Sequence, residues 1–477
     1  MKPSLRFFVT KFMNLKIHIF LTGTILLLAG SVLFAQHSET EDPFKRDPLF
    51  TRSLDELFGI SEEEPGEEAV RDERGERRVR YMAYRGIDLG GSIEAGPYHS
   101  SALYSQYPNL PMIHYNRVNG LFLGLRKERM QWYRYSQFLN IPGINPHGFI
   151  GWGTASKEWE YAIGAEKLIG RKGHLMVGGE YHRGSATEDF NRVGLNETTL
   201  TSLMAGYDFP DYYKMEGFGL YTLVRTRRWL EAGISYSRNS YTSLQANTDY
   251  SIFGKSSTYR PNPPLDPESD SMDLAIYSLS LAFNPRLALI SHDFTIGAQI
   301  VAELADNSGS DSDYRFNKFF SEVKMFYNFE PGSLLSWRVQ AGEITGRAPA
   351  FKQFYLGGIG TLRGSPYKFF SGNQMVASNI EIKLGRPSAG NRRWMSNYHL
   401  HLLLFLDSGW TGSTSEHSGS DDPLSRQSDT LKSFRISDLQ HDFGIGLGTG
   451  AFRAELAWPL KTFDSSPVFW IRFNPTF

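Results

Sequence analysis

The chain has 477 residues, of which 40% are hydrophobic and 14% aromatic, and its formal net charge at pH 7 is −1. A mean hydropathy of −0.35 excludes a bundle of membrane-spanning helices, and the near-zero charge gives no electrostatic reason to expect nucleic acid as a partner. The absence of cysteine excludes disulfides, thiolate metal sites and a lipid-modified N-terminal cysteine. Many aromatic residues together with 46 glycines favour a membrane β-barrel, although a soluble all-β protein shares part of this profile.

Residues 1–35 are predicted to be a secretory signal peptide. Basic residues between Lys2 and Lys16 precede an apolar run from Ile19 to Phe34, and the small residue Ala35 follows as the cleavage position. The run is shorter than the ~20 residues that a spanning helix needs, which disfavours the alternative of an uncleaved anchor. A second methionine at position 13 is an alternative first residue.

Residues 36–83 form a polar and mostly acidic segment, in which three consecutive glutamates are followed by alternating arginine and glutamate. Such a segment buries too little apolar surface to fold on its own, so we expect a disordered periplasmic linker. The alternative is a short helical turn or plug at residues 55–58.

From residue 84 to residue 477 the pattern has a period of two residues, which is typical of strands. For example, Leu121, Leu123 and Leu125 share one face of a segment, and Arg126 lies on the other. A soluble sandwich would pack its apolar faces together, whereas a membrane barrel turns them to lipid and keeps its charged faces in the lumen. Because the chain carries an export signal, we predict an all-β fold: a transmembrane antiparallel β-barrel over 84–477 in the bacterial outer membrane, surrounded by outer-membrane lipid.

The predicted connections between strands differ in length. Tight turns are expected at 170–173 and 330–332, and longer polar loops at 259–273, 306–313 and 412–429. Short turns at one end and long loops at the other are typical of outer-membrane barrels.

A glycine-rich segment followed by a single arginine is the most specific local feature. Glycine allows backbone conformations that other residues resist. Two predicted strands follow, and their alternation turns Glu381 and Asp407 toward the lumen. If the loop folds inward, its arginine needs an anionic partner there, because a buried unpaired charge is costly. The loop residues are Gly357, Gly358, Arg363 and Gly364.

Blocks of sequence in this region, in this order, resemble the bacterial surface antigen superfamily of BamA- and TamA-like outer-membrane barrels. They read YLGGIGTLRG, SGNQMVASNIEIKL, LLLFLDSGW and FGIGLGTGAFRAELAWPL, with FWIRFNPTF at the end. The resemblance is clear over residues 350–477 and extends to the rest of the barrel by pattern. It implies a sixteen-stranded barrel whose sixth extracellular loop folds into the lumen, where Arg363 would pair with the inner-wall acids Glu381 and Asp407.

This chain departs from the superfamily pattern at two places. Ser365 and Pro366 follow the Arg-Gly pair, where an aromatic residue is usual. Assembly and secretion members also carry periplasmic POTRA modules before the barrel, and residues 36–83 are too few and too polar for one. The chain therefore resembles a POTRA-less branch, and a separate periplasmic module is a candidate partner.

The resemblance implies work on client proteins or lipids at the outer membrane, in protein assembly, export or lipid handling. In the assembly version, the first and last strands meet at a weakly paired seam that opens to lipid or client. Pro475 of the closing strand cannot donate a ladder hydrogen bond, and the terminal aromatic residue is expected to direct the chain to the barrel-assembly machinery for its own insertion. The apolar residues of the closing strand are Phe469, Ile471, Phe473 and Phe477.

Two other functions compete with this hypothesis: a passive channel or structural barrel, and an outer-membrane hydrolase. The sequence contains no His-Glu-x-x-His, Gly-x-Ser-x-Gly or P-loop motif. His399 and His401 are spaced as two metal ligands on one strand face, but a third ligand is not evident. We therefore expect no catalytic residue, no metal and no cofactor.

Overall fold

The computed structural model describes residues 112–127, 144–169, 175–189, 192–227, 230–254, 259–265, 270–284, 293–305, 314–330, 333–385, 400–412, 434–448, 452–462 and 466–473. The chain divides into two compact units, Met1–Val70 and Arg71–Phe477, and every described residue belongs to the second. The predicted signal peptide and linker lie outside the described residues, as do His399, Pro475 and Phe477.

Sixteen strands form one antiparallel sheet, in which each strand is hydrogen-bonded to the next one along the chain. Two further short strands, β12 and β13, pair with each other inside one connection. This confirms the predicted all-β antiparallel fold and the strand number that the resemblance implies. The strands are β1 (Met112–Asn116), β2 (Gly120–Lys127), β3 (Asn145–Gly153), β4 (Trp159–Ile169), β5 (Leu175–Ala186), β6 (Tyr213–Arg227), β7 (Leu230–Ser243), β8 (Ser271–Phe283), β9 (Phe294–Ala305), β10 (Arg315–Glu330), β11 (Ser333–Arg347), β12 (Phe354–Leu356), β13 (Phe370–Gly372), β14 (Gln374–Gly385), β15 (His401–Gly412), β16 (Gln440–Gly448), β17 (Phe452–Pro459) and β18 (Val468–Phe473).

The two faces of the sheet have the polarity of a membrane barrel. In β2, Leu121, Leu123 and Leu125 are exposed, whereas Phe122 and Arg126 are buried. Successive side chains of a strand point to opposite faces, so the period-two pattern sorts the apolar residues outward and the charged residues inward. An exposed apolar face would be unfavourable in water and is stabilised when it contacts lipid.

Neighbouring strands run antiparallel, so successive connections lie alternately at the two ends of the sheet. The connection after β1 lies at the first end, the connection after β2 at the second, and so on around the sheet. By the strand bounds, the first end has the long intervals 187–212, 244–270 and 348–373, whereas at the second end only two residues separate β6 from β7 and β10 from β11. Predicted boundaries differ at three places: the loop expected at 259–273 lies between β7 and β8 at 244–270, and Glu330 and Gly412, expected in connections, end β10 and β15. The connections predicted at 170–173 and 306–313 lie outside the described residues. Asp273 belongs to β8, because its strand neighbours Met272 and Leu274 are buried and continue the alternation.

Within the described residues, one α-helix, α1 (Leu195–Ala205), lies in the connection between β5 and β6. Among the residues that the structure describes, no helix is long and apolar enough to cross a membrane. Helix α1 contacts both β1 and β18, which are the two end strands of the sheet. The described parts of β1 and β18 are not hydrogen-bonded to each other.

The largest buried apolar cluster lies on the inner side of the sheet and includes part of the connection between β11 and β14. Leu356 and Leu362 of that connection are fully buried beside Phe316 of β10 and Met375 of β14. This packing holds the connection inside the ring of strands rather than above it.

Candidate functional site: the arginine loop and the seam

The connection between β11 and β14, residues 348–373, is called the arginine loop here. Its base is the hairpin of β12 and β13, and its tip is 357–369. The tip turns sharply at Gly357 and Gly358, whose φ angles are 113° and 78°. Positive φ strongly favours glycine, which explains why the glycine pair precedes the arginine.

The Arg363 side chain is almost completely buried and contacts three carboxylates. Its Nε and Nη2 donate to Asp407 Oδ2 and Oδ1 at 2.7 and 2.8 Å, and its Nη1 donates to Glu381 Oε1 at 2.7 Å. The same Nη1 lies 3.3 Å from Glu455 Oε2. The guanidinium carbon also lies 3.5 Å from the centre of the Phe405 ring. The structure therefore brings Arg363, Glu381 and Asp407 together, with a two-bond fork to Asp407.

The backbone on either side of this guanidinium is also held by the barrel wall. Arg363 O accepts a hydrogen bond from Trp470 Nε1 of β18 at 2.7 Å, and Gly364 N donates to Asp442 Oδ2 of β16 at 2.7 Å. A Cβ atom at Gly364 would lie 2.8 Å from the backbone of Trp458 and of Pro459. Glycine at this position therefore allows the loop to approach β17 closely.

Two further charged residues of this cluster, Glu455 and Arg453, were missed as site residues by sequence reasoning. Arg453 Nη1 donates to Glu381 Oε2 at 3.0 Å, and Arg453 Nε lies 2.9 Å from Glu455 Oε1. Three buried carboxylates thus share two buried guanidinium groups. Alternation along the β17 sequence FRAELAWP would have placed both residues on the inner face. It could not have shown that they lie at the level of Arg363 along the barrel axis.

The opposite side of the arginine loop contacts strands across the lumen. Lys352 Nζ donates to Glu188 Oε1 at 2.7 Å and to Glu303 Oε2 of β9 at 3.1 Å. Lys318 Nζ of β10 lies 5.2 Å from the centre of the Phe354 ring. Since the same loop contacts β14 to β18 through Arg363, it bridges the lumen from one wall to the other.

A second group of ion pairs connects the arginine loop with the connection that carries α1. Lys368 Nζ donates to Asp189 Oδ2 at 2.5 Å and to Asp211 Oδ2 at 2.6 Å. Burial alone would raise the pKa of the Asp189 carboxyl, but Lys368 and Arg192 beside it hold that pKa below its ordinary value. Asp189 is therefore ionised at neutral pH, and its stabilising contribution is lost only as the pH falls through the lowered pKa.

Side chains of α1 hold the edges of both end strands. Glu197 Oε1 accepts hydrogen bonds from Arg472 Nε at 2.8 Å and from the backbone N of Phe473 at 3.1 Å. On the other side, Thr199 Oγ1 accepts one from the backbone N of Tyr115 in β1 at 3.2 Å. The backbone N–H groups of Phe473 and Tyr115 thus donate to helix side chains and not to carbonyls of a neighbouring strand. We call this junction of β1, α1 and β18 the seam.

The predicted closing strand is β18. Phe469 and Ile471 are 56% and 41% exposed on its outer face, whereas Arg472 is buried on the inner face. Phe473 lies at the described end of the strand and is half-buried. Phe477 lies outside the described residues, so its expected role stays a prediction.

One nucleophile–base pair bears on the hydrolase alternative. Ser408 Oγ lies 2.8 Å from His441 Nδ1, across the pairing of β15 and β16. Ser408 follows the inward-facing Asp407 and His441 precedes the inward-facing Asp442, so both residues lie on the outer face of the sheet. None of the carboxylates described here contacts His441 to orient it, and no group of three or more His, Cys, Asp or Glu side chains in the described ranges is arranged to hold a metal ion. The pair has the geometry of a cross-strand hydrogen bond.

The sheet and the arginine loop define the class of protein: a membrane β-barrel with an inward-folded loop pinned to its inner wall. Residues 87–348 match the C-terminal domain of a family of unknown function, DUF5686, and the chain belongs to this family because the match covers more than half of it. The matched region ends at the first residue of the arginine loop. No curated protein shows significant sequence similarity to the chain.

Among solved structures, the chain is similar to BamA from Haemophilus ducreyi lacking POTRA domains 1–3, with a TM-score of 0.47 and 13% identity over 77% of this chain and 70% of that one. It is also similar to CdiB from Acinetobacter baumannii, with a TM-score of 0.39 and 12% identity over 75% of this chain and 56% of that one. For CdiB from Escherichia coli, the TM-score is 0.39 and the identity 14% over 77% of this chain and 62% of that one. The chain thus spans less than two thirds of either CdiB.

Proposed function

We propose that this chain is an outer-membrane barrel that assists the insertion of other outer-membrane proteins through an opening seam. The observation that carries the proposal is the junction of the two end strands. The described parts of β1 and β18 share no hydrogen-bond ladder, and their edges are held by the side chains of Glu197 and Thr199 instead. A sheet edge whose N–H and C=O groups are not paired with a neighbouring strand is a template for another strand.

The arginine loop supports an insertion role over a passive channel. It contacts β9 through Lys352 and β15 through Arg363, so it crosses the lumen. Buried ion pairs with good geometry hold it there, and breaking one of them leaves an uncompensated charge. A client would then pass through the wall at the seam and not along the lumen.

The proposal is tested with the full chain in phosphatidylcholine–phosphatidylglycerol vesicles. An eight-stranded outer-membrane barrel, unfolded in urea, is diluted into these vesicles, and its folding is followed by heat-modifiable migration on gels. We expect folding at least several-fold faster than in empty vesicles, because the exposed strand edges of an open seam lower the cost of starting a new sheet. Equal rates would rule out insertion.

Two further measurements on the same vesicles separate the alternatives. Steady conductance across a planar bilayer, with no effect on client folding, would favour the passive channel. Release of fatty acid from the vesicle lipids, abolished by Ser408→Ala, would favour the hydrolase. Faster transfer of labelled lipid between vesicles without client folding would shift the role from protein assembly to lipid handling.

A further inference from the structure

Helix α1 occupies the place in the barrel wall where β1 and β18 would otherwise meet. It contacts both strands, through Thr199 on one side and Glu197 on the other. Its eleven residues extend roughly 16 Å at 1.5 Å per residue. This is about half of the ~30 Å hydrocarbon thickness of a bilayer, so the helix can close part of the seam but not all of it.

The polarity of α1 is the reverse of that of a helix packed on a soluble core. Glu197, Thr198 and Ser202 are buried on its inner side. Leu200 and Met204, at i and i+4 on its outer side, are 38% and 36% exposed. The two strands that the helix contacts also expose apolar side chains, Ile113 of β1 and Phe469 and Ile471 of β18.

The sequence of α1 is a poor helix former by itself. LNETTLTSLMA contains three threonines, a serine and an asparagine, all of which have low helix propensity. The N-cap is Gly194, which provides no side-chain hydrogen bond. A helix of this length is marginal without tertiary contacts. Its stability therefore depends on its tertiary contacts, which include the side-chain bonds at the seam and backbone hydrogen bonds from Ile252 and Phe253 to its last turn.

The connection that carries α1 is fastened to the arginine loop as well as to the end strands. Lys368 reaches Asp189 before the helix and Asp211 after it. The Phe209 ring lies 5.5 Å from the Tyr367 ring and 6.0 Å from the Trp470 ring, centre to centre. Trp470 in turn donates to the backbone O of Arg363. The seam and the arginine loop are thus connected by direct contacts.

We propose that α1 is a displaceable, lipid-facing seal of the seam, and that its release is coupled to the arginine loop through Lys368. The proposal deepens the proposed function by naming what keeps the seam closed. It requires no client protein, and its test contains none, so the failure of one proposal is distinguishable from the failure of the other. Release separates Glu197 from Arg472 and Thr199 from Tyr115, which exposes both strand edges at once.

Thiol accessibility in the full chain reports the opening of this seal. The chain contains no cysteine, so Ser202→Cys introduces a single thiol on the buried side of α1. Maleimide labelling in vesicles is expected to be slow in this background. Adding Glu197→Gln should accelerate it roughly ten-fold to a hundred-fold, since the charge that pairs with Arg472 and one of its two acceptor oxygens are lost and labelling follows the open population.

A matched control separates local opening from general loosening of the barrel. Ser336→Cys places a thiol at a buried inward position of β11, away from the seam. Its labelling should not change when Glu197→Gln is added. If Glu197→Gln prevents folding, Thr199→Val removes only the acceptor for Tyr115 N and should still accelerate labelling at position 202. Unchanged labelling at 202 with the folded variant overturns the seal.

The coupling and the lipid contact are tested with two further variants. Lys368→Ala should accelerate labelling of Ser202→Cys several-fold, and an unchanged rate overturns the coupling. A bimane fluorophore on Leu200→Cys should be quenched by nitroxide-labelled acyl chains as strongly as one on Leu123→Cys, which lies on the outer face of β2. Absence of quenching at 200, with quenching at 123, overturns the lipid-facing position.

Discussion

Replacing Arg363 with alanine is expected to lower the free energy of unfolding by about 3–5 kcal/mol or more, and to reduce the yield of folded barrel. The substitution leaves Glu381, Asp407 and Glu455 buried with one guanidinium, Arg453, among them. Mutual repulsion and unpaired acceptors then act together. The measurement is the urea midpoint of the reconstituted barrel, followed by tryptophan fluorescence and checked by heat-modifiable migration.

An exposed arginine with two carboxylate neighbours is the matched control. Arg183 lies 3.8 Å from Glu158 and 3.6 Å from Glu216, but its side chain is 36% exposed. Because water screens such pairs, Arg183→Ala should cost ~1 kcal/mol or less. Arg363→Lys should be intermediate, since it keeps the charge and loses the fork to Asp407. Equal midpoints for the alanine variants at 363 and 183 would contradict a bracing role for the arginine loop.

The carboxylate side of the cluster offers an internal check. Adding Asp407→Asn to Arg363→Ala removes one of the negative charges that the arginine neutralises. The double variant should therefore lose less stability than the sum of the two single variants, because residues in one charge network are not additive. Simple additivity would indicate that Arg363 acts through something other than Asp407.

Tethering α1 to an end strand should reduce client insertion to the level of empty vesicles. The backbone N of Tyr115 lies 3.2 Å from Thr199 Oγ1, so Tyr115→Cys and Thr199→Cys place two thiols within reach of a direct disulfide or a short linker attached through disulfides. With α1 bound covalently to β1, the helix cannot leave the seam. Insertion should return when the disulfide is reduced, and the same protein therefore serves as its own comparison.

A tether elsewhere in the wall is the control for this experiment. Ser235 and Ser278 are directly paired in β7 and β8, so Ser235→Cys with Ser278→Cys joins two strands that already share a ladder. Insertion should not change with that disulfide. A second seam tether, Glu197→Cys with Arg472→Cys joined by a short dithiol linker, should block insertion from the β18 side. Full activity with both seam tethers would exclude the seam as the client path.

The inner-wall acids were predictable because strand geometry is local. Glu381 lies between Ile380 and Ile382, and Asp407 follows Leu406; because these apolar neighbours face outward, both acids face the lumen. The structure places both beside Arg363. Glu455 was equally inward by alternation. Alternation states which face a side chain occupies, but not its height in the barrel or the residues beside it. The three-carboxylate cluster therefore needed the strand registers as well as the sequence.

The helix at the seam could not be predicted from the sequence. Pro475 suggested weak pairing of the last strand, yet the described contact is a helix, and its threonine-rich sequence has no strong helical signal. The carboxylate of Glu197 meets Arg472 across 275 positions of chain. Such a long-range partner depends on the curvature of the whole sheet, which brings its first and last strands to the same helix.

The sequence by itself determined that the chain is an antiparallel sheet with an apolar outer face and a charged inner face, and that a glycine-rich loop with a single arginine precedes two strands with inward-facing acids. These properties follow from the two-residue period and from glycines that permit positive φ. Only the tertiary structure decided which acids Arg363 meets and what separates β1 from β18. Those contacts are set by strand register around the barrel, a non-local quantity that no short stretch of sequence contains.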